Sequence, residues 1–318
     1  MRRLAALLLA LAPAAAAADQ TPTVRVGVLA FGTVNWLMDV IDHHGLDAEA
    51  GYDLETVGLA GRPATTVAFQ AGDVQVIVAD WIWALRQREA GRDIRYFPYS
   101  RALGRLMTQP GGGIETLCDL EGRRVGVVGG ELDKSWLVYQ AVALRDCGGM
   151  RLPSATETLF GAPPLMSQQL EAGAVDAVST YWHFAARLKA AGAEVVTDVD
   201  AAVAELGIQP TPPLIGFLWN ADRLDAETAA MVRASVAAAG ALMKDDAEWD
   251  RLRPLMNVET DAEFVALREA FQAGIITDAW AEADTEAARA LHETMLRIGG
   301  EGYAEEAGPF DPQVFAER

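Results

Sequence analysis

The sequence repeats a set of short segments at an interval of about one hundred residues. The letters RVGV occur at residues 25–28 and again at 124–127, and WL occurs at 36–37 and 136–137. AGDV at 71–74 is matched by AGAV at 172–175, so the spacing within each unit is kept as well as the letters. Two similar units predict two similar lobes, and the cleft between them is the expected place for function.

The length and the amino terminus fit an exported protein with two ordinary domains. The chain has 318 residues, 51% of them hydrophobic, which is enough for two cores. Residues 1–18 combine two arginines, a short apolar run and the small residues Ala16 to Ala18, which is typical of a cleaved signal peptide. We therefore expect a periplasmic protein that begins near Asp19.

The charge and the motifs exclude several classes of function. The formal net charge of −19 argues against nucleic acid as a partner, and most of the acidic residues follow the pattern of solvated helix surfaces. The sequence has no nucleophile elbow, no phosphate loop and no HExxH motif. Two cysteines are too few for a metal site of the usual spacing. We expect no catalytic activity, no metal and no cofactor.

The two cysteines are predicted to lie at the same end of the second lobe. Cys118 precedes the strand predicted at 124–128, and Cys147 follows the helix that returns from it. An exported protein permits a disulfide bond. A disulfide is favoured over the alternative of two buried free thiols, which stays open.

The predicted elements alternate between strand and helix in both units. This order indicates an α/β fold of parallel-rich sheets with crossover helices. The first lobe is expected to comprise residues 19–103 and 214–318, and the second lobe residues 104–213. From Asp225 onward the sequence predicts amphipathic helices that pack onto the first lobe.

Four segments carry a resemblance to a known family. They are HGL at 44–46 leading to EAGYDLE at 49–55, AFQAGDV at 68–74, LEGRRVGV at 120–127 and LEAGAVDA at 170–177. With these segments the chain resembles the periplasmic solute-binding proteins of ABC importers that serve nitrate, taurine, aliphatic sulfonates and thiamine-precursor pyrimidines. The resemblance implies a two-lobed periplasmic-binding-protein fold of type II, a monomer that captures a small organic molecule by hinge closure, and ABC permease subunits as partners.

One loop departs from the family pattern. Sulfonate and nitrate binders usually offer small hydroxyl residues and free backbone amides where the first helix of the second lobe begins. Here Glu131 and Asp133 would repel an oxyanion unless Lys134 compensates for them. A simple inorganic anion is therefore disfavoured, and the expected ligand is a sulfonate, a pyrimidine, a flavin or another aromatic or amine-bearing solute.

The candidate ligand-binding residues follow the carboxyl ends of the predicted strands, where ligands bind in open parallel sheets. They are Asn35, Trp36, Arg62, Thr65, Asp80, Trp81, Gly130, Ser135, Thr180, Tyr181 and Trp182. Trp81 and Trp182 occupy equivalent positions in the two units, so the pair predicts an aromatic clamp that closes on opposite faces of one ligand. Ring stacking of this kind contributes about 0.5–1.5 kcal/mol for each pair.

Simpler roles exist for several of these residues. A tryptophan just after a strand can belong to the core, Asp80 and Asn35 can cap helices, and Arg62 can be a solvated charge. Two other functional classes also stay open. One is an enzyme on the same fold, similar to pyrimidine synthases or chorismate dehydratases, and the other is a receptor that serves a membrane sensor.

Overall fold

The computed structural model describes residues 21–276 and 279–315. The predicted signal peptide lies outside the described residues. Within them, no helix is both long enough and apolar enough to cross a bilayer.

The chain begins with alternating strands and helices. The elements in order are β1 (Thr23–Leu29), α1 (Val34–His44), α2 (Leu46–Ala50), β2 (Asp53–Leu59), α3 (Arg62–Ala71), β3 (Val76–Asp80), α4 (Trp81–Glu89) and β4 (Ile94–Ser100). The second unit continues with β5 (Arg105–Thr108), β6 (Arg124–Val128), α5 (Lys134–Asp146), α6 (Leu152–Ala155), β7 (Glu157–Gly161), α7 (Pro163–Glu171), β8 (Ala177–Thr180), α8 (Trp182–Ala190), β9 (Glu194–Asp198) and α9 (Val199–Glu205).

One further strand and four helices complete the chain. They are β10 (Ile215–Asn220), α10 (Ala226–Leu242), α11 (Asp246–Leu252), α12 (Asp261–Gly274) and α13 (Glu282–Ala307). Short 3₁₀ turns lie at Leu117–Leu120, Arg253–Leu255 and Pro312–Phe315. Helix α13 is kinked at Gly300, whose backbone leaves the helical region.

Two five-stranded sheets define two lobes with the same strand arrangement. The first sheet has the order β2-β1-β3-β10-β4, and the second has β7-β6-β8-β5-β9. Four strands of each sheet run in the same direction, and the fifth, β10 in the first sheet and β5 in the second, runs antiparallel to both of its neighbours. The chain leaves the first sheet through residues 101–104 and returns through 199–214. The predicted two-lobed α/β class is confirmed.

The repeated RVGV segments form β1 and β6, which are the second strands of their sheets. A side chain on Gly27 would place its Cβ 3.0 Å from Val74 Cγ2, and one on Gly126 would lie 3.0 Å from Met166 Sδ. The glycine in each strand therefore lets the neighbouring element pack closely against the sheet. The repeated glycine thus reflects the same close packing against the sheet in both lobes.

The carboxyl-terminal helices contact both lobes. Helices α10, α11 and α12 bury Trp249 and Phe271 beside Trp36 of the first lobe. In addition, α12 packs on α8 of the second lobe, and α13 packs on both α4 and α5. The tail thus packs on the first lobe as expected, and α12 and α13 contact the second lobe in addition.

Cys118 and Cys147 form the expected disulfide bond, with their Cα atoms 5.3 Å apart. Cys118 lies in the 3₁₀ turn Leu117–Leu120, and Cys147 caps the end of α5. The strand β6 and the helix α5 between them run in opposite directions, so both cysteines reach the same end of the second lobe. The disulfide thereby ties the end of α5 to the segment that leads into β6.

Candidate functional site

The carboxyl ends of the central strands of the two sheets face each other. Asp80 ends β3 of the first lobe, and Lys134 begins α5 of the second lobe. The Lys134 Nζ lies 3.5 Å from Asp80 Oδ2, which places an ion pair across the cleft. The loops that follow β3 and β6 are therefore close together, as expected for a site between two lobes.

Asp80 uses both of its carboxylate oxygens within the protein. Its Oδ1 accepts a hydrogen bond from the backbone amide of Trp83 at 2.9 Å, which caps α4. Its Oδ2 accepts from Arg62 Nη2 at 3.0 Å and faces Lys134. Burial raises the pKa of Asp80, but the charges of Lys134 and Arg62, together with the hydrogen bonds from Trp83 and Lys134, more than offset this effect, and the pKa is lowered. Asp80 is thus an ionised anchor for two cations from opposite lobes as well as a helix cap.

Arg62 is the cation that this arrangement leaves accessible. It begins α3 directly after the loop that follows β2, and 62% of its side chain is exposed. The nearby carboxylate of Asp80 is the main cause of its raised pKa, with smaller contributions from Tyr181 and Asp133. Arg62 therefore stays charged and presents a guanidinium group with the planar geometry that carboxylates and sulfonates favour.

Asp133 caps the amino terminus of α5 with its side-chain carboxylate. Its Oδ1 accepts hydrogen bonds from the backbone amides of Ser135 at 3.0 Å and Trp136 at 3.2 Å. Burial is the largest influence on Asp133 and raises its pKa in spite of these bonds. The Ser135 and Trp136 amides, which could otherwise hold a free anion, are therefore engaged by the chain itself.

Two glycines let this loop pass close to Tyr181. Gly129 and Gly130 have φ angles of +94° and +95°, a region that other residues rarely adopt. A Cβ on Gly129 would lie 2.6 Å from Asp133 Oδ2 and 3.1 Å from the Tyr181 hydroxyl. Burial, with Asp133 second, raises the pKa of Tyr181, so its hydroxyl is a neutral hydrogen-bond donor beside the charged groups.

Ser135 and Thr180 lie against the segment that joins the lobes. A Cβ on Gly104 would approach Ser135 Oγ to 2.7 Å and the Thr180 carbonyl oxygen to 2.9 Å. The Thr180 hydroxyl is buried and has no hydrogen-bond partner among the described residues. The backbone of the connecting segment thus passes directly over the carboxyl end of β8.

The predicted clamp of Trp81 and Trp182 is wrong, because the two rings lie in different environments. Trp81 is fully buried, and its indole nitrogen donates to the Pro213 carbonyl oxygen at 3.1 Å. Its ring contacts Phe310 and Phe315 with centroids 6.2 Å and 5.7 Å away. The carboxyl-terminal segment covers this ring, so Trp81 belongs to the core.

Trp182 crosses from the second lobe to the first. Its ring meets Trp36 at 6.4 Å with an interplanar angle of 82°, and Phe271 at 5.9 Å with an angle of 67°. These are edge contacts within a cluster that includes Trp249. Trp182 therefore joins the lobes beside the cleft, and the geometry is not that of two parallel faces around a ligand.

Three further predicted residues have structural partners. Trp36 is only 4% exposed and packs in the first-lobe core. The Asn35 amide nitrogen donates to the carbonyl oxygens of Leu29 at 2.7 Å and Gly32 at 2.8 Å. It closes the loop after β1 and does not cap α1, which begins one residue earlier. The buried Thr65 hydroxyl donates to the carbonyl oxygen of Gly61, the residue that precedes α3.

The sequence-based prediction missed a second connection between the lobes. Arg187 of α8 forms an ion pair with Glu263 of α12. It also donates to the carbonyl oxygens of Met256 at 3.1 Å and Asn257 at 3.3 Å. Arg187 repeats Arg86 of the first unit, but only the packing of α8 on α12 gives it these partners, which no local sequence signal predicts.

A cavity lies within the first lobe, away from the cleft cluster residues described above. It has a volume of about 660 Å³ between α10 and β4, with Tyr99, Trp219 and Trp280 in its lining. Its lining comes from first-lobe strands, the carboxyl-terminal helices and their connecting segments. It therefore does not bring the two lobes together around one molecule. The charged cluster of Arg62, Asp80, Lys134, Asp133 and Tyr181, here called the cleft cluster, is the better candidate site.

The pH dependence of stability offers a test of how α8 is buried between the lobes. Burial, and second the charge of Arg187, lower the pKa of His183 from its ordinary value of 6.5 to about 4. His183 therefore takes up a proton less readily in the folded protein than in the unfolded chain. The contribution of the neutral His183 side chain to the free energy of unfolding is fully present above pH 6.5 and is lost as the pH falls toward 4. We expect the free energy of unfolding to fall by about 2 kcal/mol more in this range for the native protein than for His183→Gln. Urea unfolding at several pH values measures this, and parallel pH profiles would contradict it.

Comparison with solved structures identifies the class of fold. The periplasmic aliphatic sulphonate-binding protein SsuA from Escherichia coli shares 16% sequence identity with a TM-score of 0.72, over 93% of this chain and 92% of that chain. SsuA from Xanthomonas axonopodis pv. citri, bound to MOPS, shares 17% identity with a TM-score of 0.64, over 91% and 96%. The desulfurization enzyme DSZB shares 16% identity with a TM-score of 0.56, over 91% and 96%. The chain thus has the two-lobed fold of periplasmic binding proteins.

The family follows from the sequence. The family model described as NMT1/THI5-like matches residues 40–249, which is more than half of the chain. The chain belongs to this family. No curated protein matches it.

Proposed function

We propose that the protein is an extracytoplasmic solute-binding receptor that captures a small organic molecule between its lobes and delivers it to an ABC import permease. The observation that carries this proposal is the cleft cluster, in which cations from both lobes meet at Asp80 and Arg62 stays exposed. A ligand that contacts both lobes would stabilise the closed state and so shift the balance between open and closed forms. Residues 1–18 would direct export to the periplasm.

The enzyme alternative has one point in its favour, the similarity to DSZB. Against it stands the chemistry of the chain. Both cysteines are paired in the disulfide, so neither offers a thiol nucleophile. Tyr181 has a raised pKa and stays protonated near neutral pH. The ionised groups of the cleft cluster are engaged with one another, which suits binding better than proton transfer.

A ligand screen tests the proposed function. Sulfonates, pyrimidines, flavins and aromatic acids would be added to the purified protein, and the unfolding temperature measured. A ligand present at one hundred times its dissociation constant stabilises the folded state by about 2.7 kcal/mol. Calorimetry on the hits should show one site for each chain. Absence of any ligand would contradict the proposal, and chemical turnover of a bound hit, detected by mass spectrometry, would support the enzyme instead.

Trp182→Ala tests the contact between the lobes beside the site. The variant removes the ring that joins α8 to Trp36 and Phe271, so the closed state loses part of its stabilisation. We expect ligand affinity to fall tenfold or more, which corresponds to about 1.4 kcal/mol. Trp280→Ala is the matched control, because Trp280 is a partly buried tryptophan that stacks on Phe315 beside the cavity between α10 and β4. Unchanged affinity of Trp182→Ala by calorimetry would contradict this role.

A further inference from the structure

The cavity between α10 and β4 has two unlike walls. One wall carries aromatic rings, which belong to Phe97, Tyr99, Trp219 and Trp280. The other wall is a face of α10 that presents exposed alanines, namely Ala226, Ala230, Ala234 and Ala237. An alanine ends at its methyl group, so about 660 Å³ stays open between α10 and the rings. Small-molecule pockets have volumes of roughly 300–1,000 Å³, so the space is sufficient for one organic molecule.

Three polar side chains of the lining already have partners within the protein. The Tyr96 hydroxyl donates to the Pro213 carbonyl oxygen at 2.9 Å, and the Trp280 indole nitrogen donates to the Thr285 hydroxyl at 2.8 Å. Arg233 is likewise engaged with another group of the protein. A charged molecule would lose its hydration in the cavity without a free partner among these side chains, whereas an uncharged apolar molecule gains from leaving water.

We propose that the cavity between α10 and β4 is a second binding site, which takes an uncharged aromatic or alicyclic molecule. The ring of this molecule would pack on Tyr99 and Trp280 and be held from the other side by the methyl groups of Ala230 and Ala234. The exposed alanines leave the cavity open along α10, so the molecule enters without unfolding of the lobe. The described lining contains no residue of the cleft cluster, and the site therefore does not depend on the proposed function.

Phe271 connects this cavity with the contact between the lobes. It lines the cavity, and its ring centroid lies 5.9 Å from that of Trp182 and 5.9 Å from that of Trp36. A molecule in the cavity packs against the same ring and restricts its movement away from Trp182. Occupation of the cavity therefore favours the closed arrangement of the lobes and strengthens ligand binding in the cleft. This consequence, unlike the site itself, rests on the proposed function.

Indole and cyclohexanol are the probes for the site, added to the full protein without any cleft ligand. Calorimetry should show one saturable site for each probe, with a dissociation constant below about 1 mM for indole. In the double variant with Ala230→Leu and Ala237→Leu, the longer side chains occupy the cavity, so the affinity for both probes should fall about tenfold or more. Both positions are exposed, so the unfolding temperature of the variant should not fall below that of the native protein.

The double variant with Ala238→Leu and Ala241→Leu is the matched control, because both alanines are exposed on α10 and lie outside the described lining of the cavity. This variant should bind both probes with native affinity. Absence of saturable binding to the native protein, or a filled variant that keeps native affinity, overturns the inference. Competition between indole and a cleft ligand from the screen assigns the probe to the cleft and also overturns it. Each of these outcomes leaves the proposed function standing.

The link through Phe271 is tested with the tightest ligand from the screen. Saturating indole should lower the dissociation constant of that ligand about twofold or more, and the ligand should lower that of indole by the same factor, because coupling between sites is reciprocal. Phe271→Leu keeps an apolar side chain but loses the ring that meets Trp182, so the coupling should disappear. Unchanged ligand affinity in the presence of indole overturns the coupling. If no ligand from the screen binds while indole does, the proposed function falls and the second site stands.

Discussion

Trp81→Ala is expected to lower the free energy of unfolding by about 3–5 kcal/mol, the usual cost of removing a fully buried tryptophan. The ring has no exposed surface and is enclosed by Phe310, Phe315 and His292. The substitution leaves a cavity beneath the carboxyl-terminal segment and removes the hydrogen bond to the Pro213 carbonyl oxygen. Urea unfolding followed by circular dichroism measures the loss.

Trp81→Phe is a milder change at the same position. This variant keeps a smaller aromatic ring in the core and loses the indole nitrogen together with part of the ring volume, so its cost should be about 2–3 kcal/mol, below that of Trp81→Ala. Ligand affinity of Trp81→Phe should stay within about twofold of the native value. A Trp81→Ala protein of native stability that has lost its ligand would restore the aromatic clamp and contradict the core assignment.

Removal of the disulfide is the second large expected effect. The bond joins residues 29 apart in the sequence. Closing a loop of this length restricts the unfolded chain by about 3–4 kcal/mol. The variant with Cys118→Ser and Cys147→Ser should lose this much stability in guanidinium unfolding, because its unfolded state is no longer restrained.

Reductant supplies the control for this prediction. It should destabilise the native protein by a similar amount and leave the double serine variant unchanged. Equal stability of the oxidised protein and the variant would show that the native state gains nothing from the bond. Stabilisation by a disulfide also fits the proposed export, since such bonds form and persist in oxidising compartments.

The alternation of strands and helices could be predicted from the sequence because local patterns determine it. The RVGV segments have β-branched residues on both sides of a glycine, and they form the interior strands β1 and β6. The position of the two cysteines could be predicted for the same reason. A strand followed by a helix in the opposite direction brings both cysteines to the same end of the lobe. The contacts of α12 with α8 and of α13 with α5 depend on tertiary packing and have no such signal.

The loops of the candidate site could be predicted, but the direction of each side chain could not. Trp81 and Trp182 begin equivalent helices, α4 and α8, so their sequence contexts are alike. They differ in what covers them. Phe310 and Phe315 of the carboxyl-terminal segment enclose Trp81, whereas Phe271 of α12 and Trp36 meet Trp182. Residues far along the chain decide the outcome, and the repeat does not contain them.

The ion-pair partner of Lys134 could not be predicted from the local sequence either. The sequence marks it as a cation that could offset Glu131 and Asp133 in its own loop. In the structure its ion-pair partner is Asp80 of the other lobe. That contact exists because the carboxyl ends of β3 and β6 face each other, which is a property of the lobe arrangement and not of the local sequence.

Hydrogen–deuterium exchange, measured with and without the tightest ligand from the screen, tests whether a ligand binds between the lobes at the cleft cluster. Binding there should protect residues 61–66 and 80–83 in the first lobe and residues 129–136 and 180–184 in the second at the same time. Protection confined to one lobe, or to the cavity between α10 and β4, would contradict it.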